Sequence, residues 1–287
     1  MTNRPVLSDA PREPYDLATE RADYPAHDGP PNRSVVICSH PRSGSTLLGE
    51  AIHAAGGLGC PLEYLHRGFR PYFTRRWQAD DLVSYVRALH RFRTDTSGVL
   101  SIKLFWRDVE ELAVEARPDA PIVRREVVVE APALSHLFGL LRTILPNPTF
   151  VYLTRQDRVR QAVSAYMAAE TSVFRAFSRE DDDRCSRRVE YRYDGILRQL
   201  AAADYGNARW RQFFAANGIE PHRIEFESLA SAYQPTIGAL LAHLGRPGTP
   251  PAPRLLRQAT ALSETFMRRF LHDHEAAPAA IGSRPCR

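Results

Sequence analysis

The 287-residue sequence has few cysteines and no long apolar run. Its four cysteines include no Cys-x-x-Cys pair, so the pattern indicates neither a zinc knuckle nor a disulfide framework. No stretch approaches the roughly 20 apolar residues that cross a bilayer, and the first residues lack the apolar core of a signal peptide. We therefore expect a cytoplasmic protein without a membrane span and without a metal site.

Lysine is almost absent as well, because Lys103 is the only lysine among 38 basic residues. Any role that lysine commonly plays must therefore fall on Lys103 or on arginine. Residues 1–32 carry three arginines against six acidic residues, so the net charge of +5 arises from the rest of the chain, which carries +8. Such a basic body fits an anionic ligand, or simply an arginine-rich solvated surface. The sequence contains no basic stripe with interleaved aromatic residues, so it gives no indication of nucleic-acid binding.

The composition, with 44% hydrophobic and 25% charged residues, is that of a globular protein and excludes a wholly disordered chain. Residues 1–32 hold six of the 22 prolines and show no periodic apolar pattern. We therefore predict a flexible N-terminal arm over residues 1–32 and one domain over residues 33–287.

Short apolar runs alternate with helical patterns from residue 33 onward. Strands typical of a buried parallel sheet are predicted at residues 35–38, 99–105, 149–154 and 223–226. Helices with an apolar stripe are predicted at residues 47–55, 159–167, 193–217 and 237–244. This alternation predicts an α/β fold of three layers, with a mainly parallel sheet flanked by helices.

The segment between the first strand and the first helix carries the most chemical information. It reads SHPRSGSTLL over residues 39–48. A turn here aims backbone N–H groups and the positive end of the helix at one point, and Gly44 lets an anion approach closely. The Walker A pattern needs an early glycine and a lysine, where this chain has Ser39 and Ser45. We therefore predict a phosphate cradle that differs from the loop of ATP-hydrolysing proteins.

Residues 41–46, Pro-Arg-Ser-Gly-Ser-Thr, resemble the 5′-phosphosulfate loop of sulfotransferases that use 3′-phosphoadenosine 5′-phosphosulfate (PAPS). Three further segments extend the similarity: Gly-Cys-Pro-Leu-Glu-Tyr at 59–64, Leu-Thr-Arg-Gln-Asp at 153–157 and Arg-Gln-Ala-Val-Ser at 160–164. Together they resemble the bacterial trehalose 2-sulfotransferase family. The resemblance implies a P-loop-like sulfotransferase domain over residues 33–287, PAPS as the sulfuryl donor, no metal, and a homodimer.

The resemblance also implies roles for single residues. The 5′-phosphosulfate would be held by the backbone and hydroxyl groups of Ser43, Gly44, Ser45 and Thr46. Arg42 would neutralise charge at the bridging oxygen, and Arg155 and Ser164 would bind the 3′-phosphate, since arginine offers phosphate a planar pair of donors. The spacing of Arg155 and Ser164 differs by one residue from that of most sulfotransferases, so Arg158 or Arg160 could share their task.

Glu63 follows the first helix, and the resemblance makes it the general base. Sulfuryl transfer to an alcohol needs a group that removes the hydroxyl proton, and a nearby carboxylate can do this. Lys103 either faces the donor or acceptor or extends from the strand edge into solvent. Of the histidines near these motifs, which show no metal spacing, His53 is expected on the flank of the first helix and His66 is a candidate acceptor contact. His40 is a further candidate base.

The sequence leaves the acceptor open. The family suggests a sugar such as trehalose, whereas the aromatic and arginine residues of segment 64–77 could favour an aromatic or acidic acceptor. The charged segment 178–190 is either a solvated loop or a flap over the acceptor pocket. Near the C-terminus, residues 257–259 resemble a segment of the family that helps to bind the donor nucleotide.

Three functions compete at this point. The leading one is a PAPS-dependent sulfotransferase that acts on a hydroxyl of a sugar or small-molecule metabolite by in-line transfer. A P-loop ATP-dependent phosphotransferase, or kinase, is weakened by the missing Walker lysine and by the lack of a clear aspartate for Mg²⁺. The third is a nucleotide-binding regulatory module without catalysis.

Overall fold

The structure, a computed structural model, describes residues 15–116, 131–174, 189–255 and 260–276. Over these residues the chain forms a parallel sheet of four strands in the spatial order β2-β1-β3-β4. The strands are β1 (Arg33–Ser39), β2 (Val99–Phe105), β3 (Pro148–Thr154) and β4 (His222–Glu225). Each of the four predicted strands is confirmed, with small differences at its ends.

Helices occupy most of the remaining described residues. In chain order they are α1 (Ser45–Ala55), α2 (Arg70–Trp77), α3 (Leu82–Arg93), α4 (Trp106–Ala116), α5 (Ala131–Ile144), α6 (Arg158–Thr171), α7 (Tyr193–Ala216), α8 (Phe226–Ser231), α9 (Tyr233–His243) and α10 (Ala261–Ala276). Two short 3-10 turns, Asp16–Ala18 and Glu20–Ala22, precede β1. The four predicted helices are confirmed as α1, α6, α7 and α9.

The sheet separates two apolar layers, because successive residues of a strand point to opposite faces. Val36 and Cys38 of β1 belong to one core, which contains the aromatic side chains of α7. Val35 and Ile37 belong to the other core, which α1 and α9 cover. Helices therefore pack on both faces of a parallel sheet, which is the predicted α/β fold of three layers.

The four helices α2 to α5 were not predicted from the sequence. α3 does carry a local signal, since Asp81 accepts from the N–H of Ser84 while the Ser84 hydroxyl accepts from the N–H of Asp81. α4 begins at Trp106, directly after the last residue of β2. No turn residue separates that strand from its helix. The change from the two-residue period of a strand to the 3.6-residue period of a helix therefore has no marker in the sequence.

Residues 15–32 differ from the predicted flexible arm. Leu17 is buried in the core, and the buried guanidinium of Arg93 on α3 donates to the carbonyls of Leu17 and Ala22. Arg93 also forms an ion pair with Asp23 at 3.2 Å. A buried cation requires such partners, so this contact fixes the segment on the body of the protein. Residues 1–14 lie outside the described residues, and the domain boundary at residue 33 stays a prediction.

The described residues were compared with the requirements of a membrane-spanning helix and of a metal site. Within the described ranges, no helix is both long enough and apolar enough to cross a membrane. The same ranges contain no group of three or more His, Cys, Asp or Glu residues that could hold a metal ion. Cys38 and Cys60 are buried free thiols, whereas Cys185 and Cys286 lie outside the described residues.

Candidate active site

The segment that joins β1 to α1 forms a tight turn at the carboxyl edge of the sheet. Arg42 and Gly44 have positive φ angles of 66° and 88°. A methyl group at Gly44 would come within 2.6 Å of the Phe226 ring. Glycine is therefore required at this position both for its backbone angle and for its lack of a side chain.

Side-chain hydrogen bonds to backbone carbonyls hold this turn in place. The Ser43 hydroxyl donates to the carbonyl of His40 at 2.7 Å, and the Gln161 amide donates to the carbonyl of Pro41 at 2.9 Å. From α7, the indole N–H of Trp210 donates to the carbonyl of Ser39 at 3.3 Å. The N–H groups of the first turn of α1 have no carbonyl partner within the helix. The turn thus directs fixed donors and the helix dipole at one point, which suits an anion.

A group of cations and hydroxyls lies beside this turn. The Arg42 guanidinium donates from Nε to the Ser164 hydroxyl at 2.9 Å and from Nη1 to the carbonyl of Phe174 at 2.5 Å. Arg155, which follows β3, donates to the carbonyl of Arg42 at 3.1 Å and stacks on the Phe226 ring at 4.4 Å. The fold therefore brings together Arg42, Arg155 and Ser164, although the sequence spreads them over more than a hundred residues.

The alternative arginines of this region have other partners. Arg158 pairs with Asp204 of α7. Arg160 pairs with Asp157 at 3.0 Å and with Glu264 of α10. These ion pairs link α6 to α7 and α10, whereas Arg155 contacts the backbone of the cradle turn itself at the carbonyl of Arg42.

Glu63 and Lys103 form a buried ion pair. The Lys103 ammonium lies 3.1 Å from the Glu63 carboxylate, and 1% of the lysine side chain is exposed. Its Nζ also lies 3.5 Å from the hydroxyl of Thr46, in the first turn of α1. Lys103 therefore connects the cradle to the carboxylate and does not extend into solvent.

Backbone contacts with β2 position the loop that carries Glu63. Leu62 forms a parallel bridge with Ile102, and its carbonyl accepts from the N–H of Lys103 at 2.9 Å. The N–H of Gly59 donates to the carboxylate of Asp95 at 2.8 Å. A methyl group at Gly59 would come within 2.8 Å of the sheet backbone, so this glycine lets the loop lie directly on the strand.

Asp108 is a buried carboxyl group that the sequence analysis missed. Its Oδ2 accepts from the N–H of Phe105 at 3.0 Å and thereby caps α4, whereas its buried Oδ1 has no hydrogen-bond partner among the described residues. Burial, with smaller contributions from Glu63 and Glu111, raises the pKa of Asp108 to about 8. A sequence signal did exist, because a polar residue just beyond the end of a parallel strand lies at the edge where sites form.

The three histidines near the motifs have different surroundings. Burial, together with the cation of Arg158, lowers the pKa of His40 to about 4, so this ring is neutral at pH 7. His53 lies on α1, as predicted, with Nδ1 3.3 Å from the Tyr24 hydroxyl. His66 packs its ring edge against Phe105, and burial lowers its pKa against the opposing effect of Glu63. Of the three, only His66 is electrostatically coupled to Glu63.

The aromatic residues of segment 64–77 mostly build the core. Tyr64 and Phe73 are fully buried, with ring centroids 5.1 Å apart, and Trp77 stacks on Phe73 at 4.7 Å. These rings therefore give no support for an aromatic acceptor. A cleft of about 430 Å³ lies between α2 and α4, lined by Leu65, Arg67, Arg70, Pro71, Thr74, Glu111, Leu112 and Glu115.

Two of the predicted regions cannot be placed. Most of segment 178–190 and all of residues 257–259 lie outside the described residues. Arg254, which precedes the second of these, pairs with Glu50 of α1 at 3.2 Å and with Asp16 at 2.9 Å. The chain that leads into residues 257–259 is thus attached to the helix whose N-terminus forms the cradle.

Comparison with known proteins gives three findings. Residues 34–273 match the family model described as Stf0 sulphotransferase. The trehalose 2-sulfotransferases of Mycolicibacterium smegmatis and Mycobacterium tuberculosis are both 28% identical to this chain, over 272 and 267 residues. The first match covers 85% of this chain and 96% of the relative, and the second covers 83% and 94%. Among solved structures, a sulfotransferase domain from the curacin biosynthetic pathway is 18% identical, with a TM-score of 0.35 and coverage of 80% of this chain and 78% of that one.

Proposed function

Because the chain belongs to the Stf0 sulphotransferase family, we propose that it moves the sulfuryl group of PAPS to a hydroxyl of a small molecule, with Glu63 as the general base. Its family makes the chain a sulfotransferase. The donor, the acceptor class and the residue roles are the proposed part, and each has its own support in the geometry.

The cradle suits the two anionic ends of PAPS. The donors at the start of α1, next to Ser43 and Gly44, fit a phosphosulfate. The guanidinium groups of Arg42 and Arg155, close to the Ser164 hydroxyl, fit a second phosphate. Ser45 and Thr46 add hydroxyl groups at the helix start. The donor supplies the sulfuryl group, and these residues hold it and compensate its charge.

The proposed acceptor of the hydroxyl proton is Glu63, whose carboxylate pairs with the same lysine that contacts Thr46 in the cradle. In the proposed reaction the acceptor hydroxyl gives its proton to the Glu63 carboxylate while its oxygen forms a bond to sulfur. The bond between sulfur and the bridging oxygen breaks, and its electron pair leaves with adenosine 3′,5′-bisphosphate. Arg42 and the N–H groups of α1 stabilise the negative charge that accumulates on this leaving group.

One observation carries the proposal. A buried lysine contacts both the carboxylate of Glu63 and the hydroxyl of Thr46 in the cradle. The anion site and the base are therefore neighbours across a single side chain, which is the arrangement that transfer from an anionic donor to a neutral hydroxyl requires.

Calorimetry tests the donor with a matched pair of glycine variants. We expect adenosine 3′,5′-bisphosphate to bind the wild-type protein more tightly than ATP with Mg²⁺. Gly44→Ala should weaken that binding about tenfold or more, because the new methyl group meets Phe226. Gly56→Ala is the control, since Gly56 also has a positive φ of 70° but ends α1 and has open space around it.

Two results would contradict the donor assignment. The first is preferential binding of ATP with Mg²⁺ followed by phosphoryl transfer, which would make the chain a kinase. The second is binding of the bisphosphate without any turnover of labelled PAPS in a metabolite extract, which would leave a regulatory module.

The acceptor is proposed to be a sugar or another small hydroxyl compound. The two curated relatives are named for trehalose, so trehalose is the first compound to test. Mass spectrometry of an extract incubated with enzyme and PAPS should show a product heavier by one sulfuryl group. We also propose a homodimer, and light scattering that gives the mass of a monomer at working concentration would contradict it.

A further inference from the structure

The buried ammonium of Lys103 is enclosed by three elements. Its Nζ faces Glu63 on the loop after α1 and Thr46 at the start of α1, while its backbone belongs to β2. Gly49 of α1 lies against its stem, and a methyl group there would be 3.6 Å from the lysine Cδ and 3.1 Å from the carbonyl of Pro61. The glycine therefore lets the loop of Glu63 lie close to α1, whereas the lysine stem lies at an ordinary contact distance from this position.

The charges around Glu63 explain what such a lysine can do. Lys103 is the cation that faces it from β2, Asp108 is a carboxyl that acts on the same region from α4, and His66 acts from its own loop. An anionic donor in the cradle adds negative charge next to Thr46. Without a cation between them, the donor and the carboxylate would repel each other, and Glu63 would bind a proton.

We propose that Lys103 is a positioning residue that keeps Glu63 ionised and directed at the cradle while the donor is bound. This inference rests on the proposed function. It also explains why the only lysine of the chain stands at this position, where arginine would be less suitable. An ammonium group is a compact charge with three donors that can point to separate partners. A planar guanidinium presents its donors in a fixed fork, which fits two oxygens of one group better than a carboxylate and a hydroxyl on different elements.

The test compares Lys103→Met, Lys103→Gln and Lys103→Arg in a pH profile of kcat. The two neutral variants should move the midpoint of the acid limb upward by about one pH unit or more. Their turnover at pH 7 should fall about 10-fold to 100-fold and recover in part at higher pH, with little change in KM for PAPS. Lys103→Arg keeps the charge, so it should keep the midpoint but not the full rate.

A second measurement avoids turnover altogether. In protein labelled with ¹³C at the glutamate carboxyl carbons, the signal that disappears in Glu63→Gln belongs to Glu63. Its titration midpoint in the free protein should move upward in Lys103→Gln and stay near that of the wild type in Lys103→Arg. The same comparison in an Asp108→Asn background removes the neighbouring carboxyl as a cause.

The outcomes separate this inference from the proposed function. If the wild-type protein transfers no sulfuryl group from PAPS, the proposed function fails. If it does, but the neutral variants raise KM for PAPS with an unchanged acid limb, Lys103 only binds the donor and the inference is overturned. An unchanged glutamate titration in a folded Lys103→Gln protein, with folding checked by circular dichroism, overturns it as well.

Discussion

The two halves of the candidate site treat charge in opposite ways. The cradle half, formed by residues 39–48 with Arg155 and Ser164, presents cations and backbone N–H groups to a common point. The carboxylate half, formed by Glu63, Lys103 and Asp108, pairs the opposite charges of Glu63 and Lys103 in the interior, beside an Asp108 carboxyl whose pKa burial raises to about 8. In the proposed reaction the first half receives the anionic donor, and the second half keeps the Glu63 carboxylate reactive within the protein.

Because of this difference, substitutions in the two halves should act differently on ligand binding and on the stability of the fold. Arg42 and Ser164 are only partly buried, so their removal chiefly affects a ligand. Removal of one partner of a buried ion pair leaves an uncompensated charge, at a typical cost of about 3–5 kcal/mol. Variants of Arg42 and Ser164 should therefore change donor binding or turnover at nearly constant stability, whereas variants of the buried Arg155, Glu63 or Lys103 need a stability measurement beside every rate.

Replacement of Glu63 by glutamine should have the largest effect on catalysis. Glutamine keeps the size and hydrogen bonding of the side chain but cannot accept a proton, so kcat should fall on the order of 10² to 10⁴-fold. Binding of adenosine 3′,5′-bisphosphate, measured by calorimetry, should hardly change, and the acid limb of the rate profile should disappear. A folded variant with wild-type turnover would remove Glu63 as the base and direct attention to His66 or His40.

Arg42→Ala should be the next most damaging variant. The cation matters most when the leaving group becomes charged, so we expect kcat to fall about 100-fold and the affinity for adenosine 3′,5′-bisphosphate to fall much less. Steady-state kinetics with PAPS measures kcat and KM, and calorimetry measures the affinity for adenosine 3′,5′-bisphosphate. Arg87→Ala, an exposed arginine on α3, is the control. A raised KM with an intact kcat would make Arg42 a binding residue only.

A comparison of Arg155→Ala with Arg158→Ala tests the arginine of the 3′-phosphate. Loss of a charge-assisted contact should weaken binding of adenosine 3′,5′-bisphosphate about 10-fold to 100-fold in Arg155→Ala. Arg158 already pairs with Asp204, so its variant should bind within about twofold of the wild type. Adenosine 5′-monophosphate, which lacks the 3′-phosphate, should show no difference between the variants. Equal losses in both variants would mean that the two arginines share the task.

Asp108→Asn should have the smallest effect on catalysis but should change the dependence of stability on pH. The pKa of Asp108 in the folded protein is about 8, above the ordinary 3.8, so the folded state holds a proton that the unfolded state releases. Stability from this group is therefore full below pH 3.8 and is lost as pH rises to about 8. Between pH 5 and 8 the wild type should lose on the order of 2–4 kcal/mol relative to the variant, as urea unfolding would show.

Asp80→Asn, an exposed carboxyl on the loop before α3, is the control for that measurement. It should leave the pH dependence of the free energy of unfolding unchanged. Parallel pH curves for wild type and Asp108→Asn would show that Asp108 is ionised in the folded protein.

The two halves of the site also differ in how far the sequence revealed them. The cradle is a local motif, because one strand, one turn and one helix bring its donors together within ten residues. Ser43, Gly44, Ser45 and Thr46 could therefore be predicted as anion ligands from a single segment. Lys103 could not be assigned, since a lysine at the end of a strand has the same local pattern whether it points to solvent or to a carboxylate.

In the N-terminal region the local sequence pattern was misleading. Its prolines and charges predicted a flexible arm, but residues 15–32 lie against the body because Arg93, distant in sequence, needs their carbonyl groups. Likewise, the aromatic residues of segment 64–77 left an aromatic acceptor open, but Phe73 lies in the core and Trp77 packs against it. In both cases a contact with another segment decides the outcome.

The sequence by itself determined the four strands, the parallel sheet and helices α1, α6, α7 and α9, and it predicted the anion cradle, because hydrophobic period and turn chemistry act over a few neighbouring residues. The tertiary structure alone decided that Arg42 meets Ser164 and that Lys103 meets Glu63. It also decided that Asp108 is buried where the charge of Glu63 acts on it. Burial and the partners of a charge depend on which distant segments pack together, and these set the ionisation of a side chain.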